Sequence, residues 1–283
     1  TTVGRNIARL ARHLGLGPVA CELLHFVTIQ RNHAPLSAAL DAVGQLTMAS
    51  IVKLLAVCLG RSVGEVKCEL DNGAKLADSA ILAVDRDSAF SFQNKVDVLE
   101  GLAEELTFEH QDLTGLFSAS IVSAAPARLS LDDYRHVAAD AEILRSYLTN
   151  ACRAPQPGVN VLIYGPSGTG KTEFVKTLAQ AVGLRLHEIP TQDKHGSPRT
   201  GKKRFDACRF AQSLLAGASS QALLFDEVED VFCDPKFSRD DDGNTSGLKG
   251  WVNRLLETNP VPTFWVTNHL GAIDPAYRPR FDF

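Results

Sequence analysis

Eight consecutive residues, Gly165-Pro166-Ser167-Gly168-Thr169-Gly170-Lys171-Thr172, have the types and spacing to hold a chain of phosphates. They satisfy the pattern of Gly, four residues, then Gly-Lys-Ser/Thr. Small residues free the main-chain N–H groups to wrap the phosphate oxygens, and a helix starting at the loop's end adds its positive dipole end. Lys171 would reach the β- and γ-phosphates, and the Thr172 hydroxyl would take one position on Mg²⁺. The pattern implies binding of a nucleoside triphosphate.

Further chemistry lies at the ends of two apolar runs. Ala222-Leu223-Leu224-Phe225 runs into Asp226-Glu227, and Thr263-Phe264-Trp265-Val266 runs into Thr267-Asn268. Asp226 would hold the Mg²⁺ shell, and Glu227 would orient and deprotonate an attacking water. Asn268 is uncharged and could hold that water or the γ-phosphate by hydrogen bonds, the lesser alternative being an Asx turn.

These groups need elements that bring them to one place. Residues 159–164 read as a buried strand before the phosphate loop, and residues 173–182 as the following helix, ended by Gly183. Residues 184–189, 222–225 and 263–266 read as further strands, with helices over 204–215 and 248–257. Ser130 with Asp133 three residues on reads as a capping box opening a helix to about residue 151. Strands alternating with helices predict a parallel sheet covered on both faces, with ligands beyond the carboxyl ends of its strands. Polar loops are expected over 191–203 and 233–247.

The 283 residues allow two domains, read here as 1–125 and 126–283, joined by a small-residue linker over 119–129. The net charge of −4 falls wholly on the first 125 residues, with 10 basic against 14 acidic side chains, so no basic field points to nucleic acid. Six scattered cysteines with no Cys-x-x-Cys pair suit reduced thiols in the cytoplasm. No apolar run reaches the ~18 residues of a membrane span. Arg5, Arg9 and Arg12 in an acid-poor start could imitate a transit peptide, but a short solvated helix is the preferred reading. The chain begins with Thr and stops within a pattern, so both ends read as cut.

The first part shows helical spacing over 19–30 and 47–59, with a third helix over 62–70 capped by Ser62 and Glu65. Strand-like runs over 79–84 and 89–96 follow, joined by residues 85–88, and then helices around 97–106 and 110–118. Helices followed by a hairpin suggest a mainly helical, winged-helix-like module. Its third helix carries Glu65, Lys67, Glu69 and Asp71, a charge pattern that repels phosphates and favours a protein-docking role.

From Ser130 onward the chain resembles the AAA+ ATPases. The resemblance rests on the phosphate loop, on Leu223-Leu224-Phe225-Asp226-Glu227, on Phe264-Trp265-Val266-Thr267-Asn268, and on residues 273–282, Ile-Asp-Pro-Ala-Tyr-Arg-Pro-Arg-Phe-Asp. It is closest to poorly characterised bacterial members of the AAA subgroup. The resemblance implies ATP and Mg²⁺ as ligands, Asn268 as the sensor, and Arg280, with Arg278 as a second candidate, as arginine fingers reaching a neighbouring subunit's site. It further implies a homo-oligomeric, hexameric ring, a sheet ordered 5-1-4-3-2, and hydrolysis coupled to remodelling of a protein substrate or adaptor.

Three departures accompany the resemblance. The chain stops at Phe283, where a fifth strand is due, so that strand and the helical lid are expected to be absent. Arg-Pro-Arg-Phe-Asp stands where many members have Arg-Pro-Gly-Arg-Phe-Asp, which leaves the role of Arg278 open. The loop in which protein-threading members carry an aromatic reads Asp193-Lys194-His195-Gly196, which weakens threading through a pore. A nucleotide-gated scaffold with slow hydrolysis is the competing reading. A small-molecule kinase is disfavoured by Glu227 and the distant arginines. Asp240 to Asn244 resembles a calcium loop but has Lys249 at the bidentate position, Cys208 lacks an evident base, and Trp251 and Trp265 read as core.

Overall fold

The computed structural model describes residues 1–86, 89–110, 113–154, 156–232 and 246–283. It divides into two compact units, Thr1–Ser120 and Ile121–Phe283.

The first unit is mainly helical. It contains α1 (Thr2–Leu14), α2 (Pro18–Asn32), α3 (Ala34–Asp41), α4 (Met48–Leu59), α5 (Val63–Leu70), α6 (Lys75–Asp78), β1 (Leu82–Val84), α7 (Phe92–Lys95), β2 (Val96–Val98), α8 (Leu102–Glu105) and α9 (Leu113–Leu116). Caps written in the sequence set several ends. Thr47 accepts the Ser50 N–H at the start of α4, Gly60 closes it in the left-handed region at φ 63°, and Ser62 and Glu65 form the expected capping box on α5. α1 is less solvated than expected, since Asn6, Ile7 and Leu10 are buried.

The hairpin is offset from the sequence reading. β1 pairs antiparallel with β2, Leu82 opposite Val98, so the second strand starts where it was expected to end. Residues 92–95 form a helical turn instead, because Phe92 drops into the core edge-on to Phe26, with ring centres 6.1 Å apart. The Lys95 side chain is buried with its ammonium 3.2 Å from Asp85. The helices expected at 97–106 and 110–118 shrink to the single turns α8 and α9. Part of the connection expected at 85–88 lies outside the described residues.

The second unit holds β3 (Val122–Ser123), α10 (Ala138–Arg153), β4 (Asn160–Tyr164), α11 (Lys171–Val182), β5 (Arg185–Glu188), α12 (Gly201–Leu215), β6 (Gln221–Phe225), α13 (Glu229–Phe232), α14 (Ser246–Thr258) and β7 (Thr263–Thr267). The sheet runs β3-β5-β6-β7-β4, with β4, β5, β6 and β7 mutually parallel. Counted from β4 as the first parallel strand, the order is 1-4-3-2, as the resemblance implies. The expected linker is partly strand, because β3 adds antiparallel to the outer edge of β5, Val122 opposite Glu188. The Ser130–Asp133 capping box forms, but it closes a 3-10 turn; Tyr134 leaves helical geometry as its ring packs edge-on to Phe174 at 4.9 Å, and α10 starts only at Ala138. The loop expected over 233–247, with its acidic run at 240–244, lies outside the described residues up to Ser246, where α14 begins. The side chains of Lys249 and Trp251 are likewise outside them.

One polar residue ties this sheet together from inside. Asn160, fully buried at the start of β4, donates to the carbonyls of Leu256 at 2.6 Å and Gly158 at 3.0 Å, and accepts the Trp265 indole N–H at 2.9 Å. Trp265 is itself buried, stacked on Phe225 with ring centres 5.3 Å apart. Asn160→Ala would orphan these groups at roughly 1–3 kcal/mol each, so we expect a loss of about 3 kcal/mol in urea unfolding. An unchanged unfolding midpoint would show that the network contributes nothing.

Candidate functional site

The parallel strands bring their carboxyl ends together, and the sequence-selected residues meet there. Tyr164 pairs with Thr267, so the phosphate loop leaves β4 beside Asn268, one residue beyond β7, with Asp226 one residue beyond the neighbouring β6. The loop needs its glycines for backbone shape: Gly168 and Gly170 sit at φ 80° and 81°, where an L side chain is strained. Gly168 also has open space where a Cβ would point, so glycine there is required by backbone conformation rather than by crowding.

Lys171, the first residue of α11, donates from Nζ to the carbonyls of Gly165 (2.9 Å) and Pro166 (2.8 Å) and to Asn268 Oδ1 (2.9 Å). Thr172 donates from Oγ1 to Asp226 Oδ2 at 2.6 Å. These two oxygens, on the first turn of α11 and the tip of β6, suit a hard cation such as Mg²⁺, which takes one or two protein oxygens and completes its shell with phosphate and water. Among the described residues no group of three or more His, Cys, Asp or Glu side chains forms a metal cluster.

Glu227 is exposed, and its backbone is left-handed at φ 53°, an uncommon state for a residue with a long side chain. A cavity of about 420 Å³ lies beside it, lined by Glu188, Thr191, Gln192, Asp226 and Glu227. At ~30 Å³ per water it has room for several. The neighbouring loop is a tight turn in which the Asp193 carboxylate accepts the N–H groups of His195 at 2.8 Å and Ser197 at 2.9 Å. Those bonds hold the Asp193 carboxyl below its ordinary range.

Sequence reasoning missed two groups at this site. Glu229 Oε1 accepts Asn268 Nδ2 at 2.9 Å and the Asn268 main-chain N–H at 3.3 Å, while Oε2 accepts Thr267 Oγ1 at 2.8 Å. Burial pushes the Glu229 carboxyl up, but these bonds outweigh it and hold the group below its ordinary range, so it stays ionised. With Nδ2 committed to Glu229, the Asn268 amide oxygen is the end turned to Lys171. The second is Arg204, from α12, whose guanidinium donates to the main-chain carbonyls of Asp226 and Glu227. Acidic residues two positions after Asp-Glu, and a basic residue on an apolar helical stripe, were the available signals.

The arginines at the chain's end lie apart from this cluster. Arg278 donates from its guanidinium to the carbonyls of Ile273 and Leu270, both at 3.3 Å, which pins the turn around it. Arg280 Nε donates to Glu257 Oε1 at 2.9 Å, and its main-chain carbonyl faces Asn160 Nδ2 at 3.4 Å. Asn160 opens β4 and the phosphate loop follows its last residue, so about 16 Å of strand separates them at ~3.3 Å per residue. Cys208 is wholly buried, which pushes its thiol up to about 12 and removes it as a nucleophile near neutral pH. Tyr134 packs its ring on Phe174, the fourth residue of α11, and its hydroxyl lies near Gly170.

Comparison with known proteins bears on the second unit as a whole. Residues 161–283 match the family model described as ATPase family associated with various cellular activities (AAA). Replication factor C large subunit of Pyrobaculum calidifontis is 33% identical over 124 residues, 43% of this chain and 26% of that protein. CD-NTase-associated protein 6 of Pseudomonas aeruginosa is 32% identical over 144 residues, 45% of this chain and 47% of that protein. A RuvB variant of Thermotoga maritima superposes over 54% of this chain and 45% of its own at 18% identity, with a TM-score of 0.35. The chain thus spans between a quarter and a half of the length of these curated relatives. Phosphate loop, strand order and family match coincide over one stretch of sequence, and the chain carries an AAA ATPase domain in residues 161–283.

Proposed function

We propose that this chain is a Mg²⁺-dependent ATPase that works as a homo-oligomeric ring, a hexamer by its resemblance, and remodels a protein partner in the cytoplasm. The observation that carries the hydrolytic reading is Glu227 set beside the Thr172–Asp226 pair and facing a cavity large enough for water. The N–H groups of the phosphate loop and Lys171 Nζ would bind the phosphates, and Thr172 Oγ1 and Asp226 would hold Mg²⁺. When bound, that ion neutralises charge on the β- and γ-oxygens. The Glu227 carboxylate accepts the proton of the attacking water, and Asn268, set in orientation by Glu229, senses the γ-phosphate. Arg280 is too far from its own subunit's loop to serve it, which supports a role in trans, whereas Arg278 is committed to shaping the turn.

Support for the partner and compartment is separate. The acidic residues of α5, exposed Glu65 and half-buried Glu69, favour a protein over a nucleic acid. Five described cysteines, Cys21, Cys58, Cys68, Cys152 and Cys208, are free thiols, which suits a reducing compartment. Among the described residues no helix is long and apolar enough to cross a membrane. The deciding experiment is the ATP hydrolysis rate per subunit against concentration of the full-length protein. The ring reading expects the rate per subunit to rise with concentration as sites are completed between subunits. A flat, low rate with ATP still bound would favour the nucleotide-gated scaffold.

A further inference from the structure

Arg204 is the most buried cation beside the site, with no exposed surface, although it sits in a helix that the sequence presents as amphipathic. Burying a guanidinium costs much of its hydration, so its retention calls for strong local interactions. Its Nη1 donates to the Glu227 carbonyl at 3.1 Å, its Nη2 donates to the Asp226 carbonyl, and its guanidinium carbon lies over the Phe225 ring, 4.5 Å from the ring centre. One planar fork therefore grips three successive residues at the tip of β6. Those contacts bracket the peptide at which the chain turns into the left-handed region at Glu227. A strained backbone persists only where its surroundings over-determine it, and a two-donor fork on adjacent carbonyls does so.

We propose that Arg204 is a positioning residue for hydrolysis: it clamps the Asp226–Glu227 backbone in the turn that aims the Glu227 carboxylate into the water-accessible cavity. This rests on the reading of Glu227 as the base. The Arg204 side chain touches neither phosphate nor water in this role; it acts through the main chain. Lysine could reach one carbonyl but lacks the fork and the guanidinium that lies over Phe225. Methionine would fill the same space without either bond.

The test compares Arg204→Met and Arg204→Lys with the parent in three readouts. Thermal melting and affinity for a fluorescent ATP analogue report the fold and the phosphate loop, and both are expected to stay close to parental. The turnover number is expected to fall by about 10²-fold in the Met variant, the scale seen when reacting groups are misplaced by about an ångström, and by less in the Lys variant. Combined with Glu227→Gln, neither change should lower hydrolysis further, because the group being positioned is already gone. Amide hydrogen exchange over 226–229 should accelerate while β7 stays protected. A folded Met variant that binds ATP and turns over at the parental rate would overturn the proposal. Should the Met variant melt early, parental turnover in the Lys variant would overturn it equally. If the parent itself failed to hydrolyse ATP, the base assignment would fall, while the exchange comparison would still decide whether Arg204 fixes the turn.

Discussion

Glu227→Gln is expected to bind ATP as the parent does and to hydrolyse it at least about 10²-fold more slowly, the usual contribution of a positioned general base. Glutamine keeps the length, the volume and a hydrogen-bonding oxygen, but its amide does not accept a proton from water near neutral pH. The exchange leaves the fold alone, since Glu227 is exposed and its side chain supports no packing. Its main-chain N–H donates to Asp226 Oδ1 at 2.8 Å, and its carbonyl accepts from Arg204 at 3.1 Å, contacts that any side chain retains. The Thr172–Asp226 pair and Lys171 are untouched, so phosphate binding should persist and nucleotide should be trapped. Single-turnover hydrolysis with retention of labelled ATP measures both halves. Parental hydrolysis by the Gln variant would remove Glu227 from the mechanism.

Arg280→Ala is expected to cost about 10³-fold or more in turnover, the scale of an arginine finger supplied across an interface. The loss should be complementable. Mixing Arg280→Ala with Lys171→Ala, each inactive alone, would create some sites with an intact phosphate loop from one subunit and an intact arginine from the next. Activity recovered on mixing requires action in trans; two inactive variants that stay inactive together would place Arg280 outside catalysis or confine it to its own subunit. Glu257→Gln is the control for the ion pair. Exposed pairs contribute only about 0.2–1 kcal/mol, so losing the Arg280–Glu257 contact should leave stability nearly unchanged. Truncating Arg280 also spares its main-chain carbonyl near Asn160, so the turn around residue 280 should keep its shape.

The AAA domain was far more legible in the sequence than the helical unit before it. Three of its strands, β4, β6 and β7, are largely apolar runs that end in a glycine loop or in carboxylate and amide side chains, a pattern imposed by a sheet buried on both faces. β4, β6 and β7 accordingly fall within a residue or so of the runs read from sequence. The hairpin of the first unit moved because Phe92 and Lys95 are held by partners outside their own run, Phe26 and Asp85, and alternation of residue types carries no record of them. Asn160, Arg204 and Glu229 went unread for the same reason: each is a polar group whose meaning lies in its bonds to another element. Arg204 did leave a trace. It shares one helical stripe with Cys208 and Ala211, both buried, so its spacing pointed inward while its charge argued outward.

The two-residue strand β3 carries a consequence for anyone who cuts this chain. β5 would otherwise present an open row of main-chain donors and acceptors along the rim of the sheet, the kind of surface on which a second molecule can add a strand and start aggregation. Val122 and Ser123 occupy that rim, and the Ala124 N–H extends the pairing to the Leu186 carbonyl at 2.9 Å. A fragment begun at residue 126, where composition suggests the boundary, would discard this selvage and leave the sheet sticky along one side. One begun at residue 121 keeps that edge of β5 paired.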